Sequence, residues 1–172
     1  MKDYELKIAG IVRESIVDGP GIRFVVFSQG CPHHCPGCHN EETHDFNGGI
    51  AFKIEKIITE VDKNPLLTGV TFSGGEPFCQ VEGFLALGKE LKKRKLDLVI
   101  FTGYTFEELL TMGGENQNVI ELLRITDLLI DGRFVQEKKD LTLQFRGSNN
   151  QRMINVQETI AKEQIILRPQ EY

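Results

Sequence analysis

No apolar run in this sequence approaches the roughly 18 residues that a membrane-crossing helix needs. The start, Met1-Lys2-Asp3-Tyr4-Glu5, puts no apolar stretch after a basic end, so no secretory signal is readable either. A cytoplasmic location without a membrane partner is the expectation. Positive charge is not in surplus: 20 Lys and Arg stand against 25 Asp and Glu, a net charge of −5. That balance gives no general attraction to phosphate backbones, and nucleic acid is not expected as a partner. Cysteines are too few and too bunched for a disulfide framework, since three of the four (Cys31, Cys35, Cys38) fall within eight residues, whereas secreted chains spread theirs to staple distant loops. The cluster reads as a metal site. Internal repeats, low-complexity tracts and linkers are also missing, and at roughly 150 residues per domain a chain of 172 residues has no room for a second full domain. One domain over 1–172 is expected. Hydrophobic residues at 40% and charged residues at 26% exclude collagen-like, coiled-coil and disordered chains and leave enough apolar surface for a core.

The apolar pattern alternates between two periods. Ile22–Ser28, bounded by Gly19-Pro20-Gly21 and Gly30, is a β-branched and aromatic run that predicts a buried strand. Ile54, Ile57, Ile58 and Val61 recur at helical spacing, Gly69–Phe72 predicts a strand, and Val81, Phe84, Leu85, Leu87 and Leu91 mark a helix reaching Lys95. Leu98–Phe101 is the next strand, Phe106–Met112 and Val119–Ile125 are helices split by Gly113-Gly114, and Leu128–Ile130 is a further short strand. Edge strands are expected at Leu6–Val12 and Gln164–Leu167. Such alternation argues for an α/β chain with a mostly parallel sheet. Four strand-plus-connection units are too few for a closed eight-unit barrel, so a partial, open β/α barrel is predicted. In such folds ligands gather at the carboxyl ends of the strands. The polar motifs sit there: Cys31–Cys38, Ser73-Gly74-Gly75-Glu76-Pro77, Thr102-Gly103-Tyr104-Thr105 and Asp131-Gly132-Arg133. The stretch Asp131–Gln157 is polar and shows no clear period.

Cys31-Pro-His-His-Cys35-Pro-Gly-Cys38 is a C-x3-C-x2-C element, in which three thiolates can each take one iron of a cluster and leave a fourth open. Zinc is the alternative, with His33, His34, His39, His44 or Cys79 completing a tetrahedron in a Cys3His interaction module. Gly74-Gly75 removes side chains at a strand end, and Glu76 offers an acceptor for a ligand ammonium or hydroxyl; an ordinary glycine turn is the bland alternative.

Together these residues resemble the radical S-adenosylmethionine (SAM) superfamily, whose signature is C-x3-C-x2-C after the first barrel strand and Gly-Gly-Glu after the second. Asp18-Gly-Pro-Gly-Ile-Arg23, Gly37-Cys-His-Asn40, Thr102–Glu108, Asp131-Gly-Arg-Phe-Val135 and Phe145–Arg152 narrow the resemblance to the activating proteins of anaerobic (class III) ribonucleoside-triphosphate reductases. The resemblance implies that Cys31, Cys35 and Cys38 hold a [4Fe-4S] cluster whose open iron is chelated by SAM. It also implies that one electron cleaves the sulfonium to methionine and a 5′-deoxyadenosyl radical, which takes a hydrogen from a glycine of the reductase. By the same resemblance Glu76 and the Gly74-Gly75 backbone, beside Ser73, receive the methionine ammonium, and Gly37, Cys38 and His39 border the adenine. Many superfamily members carry an aromatic residue before the third cysteine where this chain has Gly37. A pyruvate formate-lyase-type activase is the runner-up.

Lesser residues have plainer readings. Cys79 is expected to be a small buried side chain. Lys92-Lys93-Arg94-Lys95 suits a helix C-terminus, with docking of a low-potential donor such as flavodoxin as the minority reading. Asp131 could meet a cation or ribose hydroxyl or cap its turn. Phe134–Gln157, with Arg146, Asn149, Asn150 and Arg152, is expected to be a docking or lid segment or else to close the sheet edge.

Overall fold

The computed structural model describes residues 3–171; Met1, Lys2 and Tyr172, part of the N-terminal reading and of the expected 1–172 domain, lie outside the described residues. Seven strands form one open sheet: β1 Glu5–Ser15, β2 Arg23–Ser28, β3 Ile50–Lys53, β4 Gly69–Gly74, β5 Asp97–Phe101, β6 Leu128–Asp131 and β7 Arg152–Asn155. Their order is β3-β1-β2-β4-β5-β6-β7. The pairs β2–β4, β4–β5 and β5–β6 are parallel, whereas β1 is antiparallel to both neighbours and β7 is antiparallel to β6. The expected partial, open barrel is thus a parallel centre of four strands with antiparallel margins.

The helices are α1 Ile54–Asp62, α2 Val81–Lys93, α3 Phe106–Gly113, α4 Gln117–Ile125 and α5 Val156–Lys162. In α1 the residues Ile54, Ile57, Ile58 and Val61 are buried, one stripe on a period of 3.6. They join Phe84, Leu87 and Leu91 of α2 and Leu122 of α4 against one face of the sheet, where Phe24, Val26, Val70, Phe72, Leu98, Ile100, Leu129 and Ile154 point inward. The alternate strand residues Val99, Leu128, Ile130 and Met153 make a smaller cluster that Phe101 and Phe145 adjoin. With side chains packed on both faces, the central strands read as continuous apolar runs, as parallel strands must. Phe106, at the start of α3, follows a capping box: Thr105 Oγ1 accepts from the Glu108 N–H, and Glu108 reaches back to the Thr105 N–H.

Two strands escaped the sequence reading and one expected strand is absent. β3, not Leu6–Val12, is the edge beside β1. β7 arises inside the polar Asp131–Gln157 stretch, because a four-residue strand whose Met153 and Ile154 face opposite sides offers no periodic signal. At Gln164–Leu167 the chain makes only a single bridge, Leu167 to Ile154.

Arg23 closes the amino end of the parallel strands. It is fully buried and distributes its guanidinium over Thr71 Oγ1 (2.8 Å), the Pro20 carbonyl (2.9 Å), the Val70 carbonyl (2.9 Å) and Asp97, whose carboxylate it pairs with. At the opposite margin Arg133 grips Glu108 with two hydrogen bonds (2.6 and 2.9 Å), and Arg152 grips Asp131 and Glu107. Both arginines bind the last strands to the first turn of α3.

Arg23→Met should lower unfolding free energy by about 3 kcal/mol in urea titrations, because several carbonyls and Asp97 lose their only strong donor. Arg23→Lys should recover little of it, since an ammonium cannot make the fork. An acid titration probes the other margin. Hydrogen bonds from Arg133 hold the Glu108 carboxyl at about 2, and Arg152 lowers Glu107 in the same way. A depressed folded pKa adds stability that is present above the unfolded value near 4.5 and lost as pH falls toward 2. The urea midpoint should therefore fall below pH 4.5, less steeply in Arg133→Gln.

Candidate functional site

A cavity of about 410 Å³ opens at the carboxyl ends of β2, β4, β5 and β6. Each central strand contributes to it through the loop that follows: Cys31, His33, Cys35, Cys38 and His39 after β2; Ser73, Gly74 and Gly75 at the end of β4; Thr102 and Gly103 after β5; Gly132 and Phe134 after β6. Asp18 and the later residues Phe145, Gly147 and Gln151 complete the wall. The four motif loops expected at one mouth do meet there.

The cysteine loop is shaped by backbone that few residues adopt. Gly30 (φ 101°) leaves room for the Phe46 ring, where a β-carbon would come within 2.4 Å, and Gly37 (φ 76°) turns the chain beneath the Gln136 carboxamide. The Gly30 and Cys31 N–H groups donate to the Thr43 and His44 carbonyls at 2.7 and 3.2 Å, and the Cys38 N–H donates to the Cys35 carbonyl at 3.2 Å. All four cysteines are free thiols. Burial pushes the Cys31 thiol up to about 11, with Glu76 and the neighbouring cysteines adding to the rise, and Cys38 is raised for the same first reason. Three thiols on one wall of a cavity fit the donor set of an iron–sulfur cluster.

Gly74 and Gly75 line the cavity, and their lack of a side chain also answers to the backbone packed beside them. A β-carbon on Gly74 would strike the Ser28 backbone at 2.7 Å, and one on Gly75 the Gly30 carbonyl oxygen at 2.4 Å. Their bareness lets the end of β4 press onto the start of the cysteine loop, where the Gly75 and Glu76 N–H groups donate to the Ser28 and Gly30 carbonyls.

Glu76, expected to receive a ligand ammonium, lies beneath the cavity wall. Its side chain is fully buried and does not line the cavity. Oε1 accepts from His33 Nε2 (2.7 Å), Thr102 Oγ1 (2.8 Å) and the Gly103 N–H (2.8 Å), and Oε2 from the Phe78 N–H (3.0 Å). These donors come from the loops after β2, β4 and β5. Asp131 likewise lies under the surface: it pairs with Arg152, and its Oδ2 accepts from the Phe106 N–H at 2.8 Å at the start of α3. Ser73 and His39 do face the cavity, and the His39 ring lies 5.6 Å from that of Phe134.

Cys79, expected buried, is exposed, because its short turn Pro77–Gln80 turns Pro77 and Phe78 inward instead. Three members of the basic run are paired: Lys92 with Asp127, Lys93 with Glu90 and Arg94 with Asp62. Of the two readings of Phe134–Gln157, the structure shows the closing of the sheet edge. Phe134, Phe145, Gly147 and Gln151 of this segment border the cavity, while Arg152 begins the strand that closes the sheet. Gln151 holds this border by donating to the Gly132 carbonyl and accepting from the Gly147 and Ser148 N–H groups, and the Arg146 side chain reaches Gln170. Phe134, Phe145 and Gln151 were missed as individual cavity residues. Their signal was membership of the Asp131–Val135 and Phe145–Arg152 motifs, which did not say which side chains face the cavity.

Residues 17–154 match the family described as a 4Fe-4S single cluster domain. The anaerobic ribonucleoside-triphosphate reductase-activating protein of Salmonella typhi is 37% identical, with 79% of this chain and 90% of that protein covered. Its counterpart from Escherichia coli (strain K12) is 35% identical over the same shares, and that of Enterobacteria phage T4 is 30% identical over 80% of this chain and 86% of that protein. Among solved structures, QueE from Escherichia coli superposes with a TM-score of 0.46 at 19% identity, covering 59% of this chain and 54% of that one.

Replacing any one of Cys31, Cys35 or Cys38 by Ala should abolish the iron–sulfur absorbance and iron content of anaerobically reconstituted protein, whereas Cys79→Ala should keep both. Iron lost from Cys79→Ala and kept in a variant of the trio would reverse the assignment.

Proposed function

This chain belongs to the family of anaerobic ribonucleoside-triphosphate reductase-activating proteins, and from that membership we propose that it is a SAM-dependent iron–sulfur enzyme that installs a glycyl radical on the anaerobic reductase. The observation that supports the chemistry is the convergence of three free cysteines with the Ser73-Gly74-Gly75 strand end on one cavity. In this reading Cys31, Cys35 and Cys38 hold a [4Fe-4S] cluster. Ser73, Gly74 and Gly75 border the methionine end of SAM, and Gly37, Cys38 and His39 border its adenosine end. Glu76 and Asp131 serve from beneath, holding the loops in place. When bound, the cluster supplies the single electron that reductive cleavage of SAM requires, with methionine and 5′-deoxyadenosine as co-products.

The chain's own contribution is placement. The cavity walls of Phe27, Phe101, Ile130 and Phe145 exclude water from a site where a carbon radical must survive until it meets the target glycine. Cys31, buried, sits deepest of the three cysteines, while Cys35 and Cys38 are half-buried. One activase domain over 1–172 presents an open mouth to a macromolecular substrate. A low-potential donor such as flavodoxin supplies the electron. Among the described residues no helix is long and apolar enough to cross a membrane.

With SAM and a reductant under strictly anaerobic conditions, the protein should generate a glycyl-type doublet in the electron paramagnetic resonance spectrum of the anaerobic reductase. Deoxyadenosine and methionine should form in step with it. A doublet on pyruvate formate-lyase and none on the reductase would transfer the assignment to the other type of activase, and a colourless protein carrying zinc would end both.

A further inference from the structure

Glu76 reaches the loop that carries Cys31 from two directions. Its backbone N–H donates to the Gly30 carbonyl at 2.8 Å, one residue before the cysteine. Its carboxylate accepts from His33 Nε2 at 2.7 Å, two residues after it. The same oxygen is tied to the loop after β5 by the Thr102 hydroxyl and the Gly103 N–H, both at 2.8 Å. His33 is itself enclosed. Its side chain is 5% exposed, its ring stands edge-on to Tyr104 at 4.5 Å, and a β-carbon on Gly103 would come within 2.3 Å of it.

Such a network is not what stability alone would select, because well-packed apolar side chains of similar volume commonly do as well or better than buried charge. What it supplies is a single geometry, since each member is fixed by donors and acceptors that have nowhere else to go. Resting on the cluster site proposed above, we infer that His33 and Glu76 form a clamp that sets the position of Cys31 Sγ. His33 is a positioning residue, acting through the cysteine and not on SAM. The Glu of the strand-end motif is the fixed jaw, joined to β5 through Thr102 and Gly103. His33 is the side chain by which the cysteine loop is held to it.

The test uses the full chain, reconstituted anaerobically, with His33→Leu and His33→Gln. Leu fills much of the space without a donor, while the Gln amide N–H reaches the place of Nε2–H. Both variants should load as much iron as the parent. His33→Leu should shift the reduced-state electron paramagnetic resonance spectrum and lower kcat for SAM cleavage roughly 10–100-fold, the scale of lost support behind a metal ligand, with KM for SAM near the parent value. His33→Gln should restore both spectrum and rate. A parent-like spectrum and rate in His33→Leu, a change confined to KM, or a Gln variant that restores nothing would each overturn the clamp. A second arm needs no cluster: in the iron-free protein the melting-temperature shifts of His33→Leu and Glu76→Gln should be far from additive in the double variant. Additive shifts would overturn the proposal. A parent chain that takes up no cluster would sink the cofactor reading while leaving this arm decisive for the clamp.

Discussion

A carboxylate removed entirely from water must be given donors by the protein, and the mouth of this sheet is organised around that requirement at Glu76. Its partners come from three loops that are distant in sequence: His33 after β2, Phe78 after β4, and Thr102 with Gly103 after β5. They can converge because β2, β4 and β5 are parallel neighbours in register, so their carboxyl ends stop at the same height. Gly74 and Gly75 then allow the end of β4 to lie directly against Ser28 and Gly30. Without those two contacts neither the carboxylate nor the Cys31 loop would reach its place.

The cavity beside this buried pillar joins two unlike surfaces. One wall is thiol and imidazole from the Cys31–His39 loop; the other is aromatic and aliphatic, from Phe27, Phe101, Ile130 and Phe145. In the metal-free chain the buried Cys31 keeps its proton, its thiol pushed up to about 11. Cluster uptake therefore displaces protons, and the energy of metal–thiolate bonding stands in for the water that the thiolate has lost.

Helices α1 to α4 and the central strands were legible because each must bury a recurring face, whereas α5, seven residues with only Val156 and Thr159 buried, gave no such signal. Ile54, Ile57, Ile58 and Val61 announce α1, and the Phe24–Phe27 and Leu98–Phe101 runs announce strands buried on both sides. β3 and β7 were not legible, since Ile50–Lys53 leaves most of its side chains exposed and Arg152–Asn155 is too short for a period. The cysteine trio and the glycine pair were plain from their spacing. What lay beyond reach was which polar groups would be satisfied internally. Glu76 and Asp131 look the same in sequence whether they face a ligand or a buried donor, and that choice is made by His33, Thr102 and Arg152, which lie 43, 26 and 21 positions away. The outward turn of Cys79 was hidden for a similar reason, because Pro77 and Phe78 compete for the interior.

The Gly30 carbonyl that accepts from Glu76 also sets an order of events. The cysteine loop lies between β2 and β3, and its base is held both by local hydrogen bonds to Thr43 and His44 and by Glu76 from beyond the end of β4. The first parallel pairing, β2 with β4, closes a long loop through α1, and such non-local closures are slow steps in folding. A nascent chain that has not yet made β4 therefore has the cysteines but not the site.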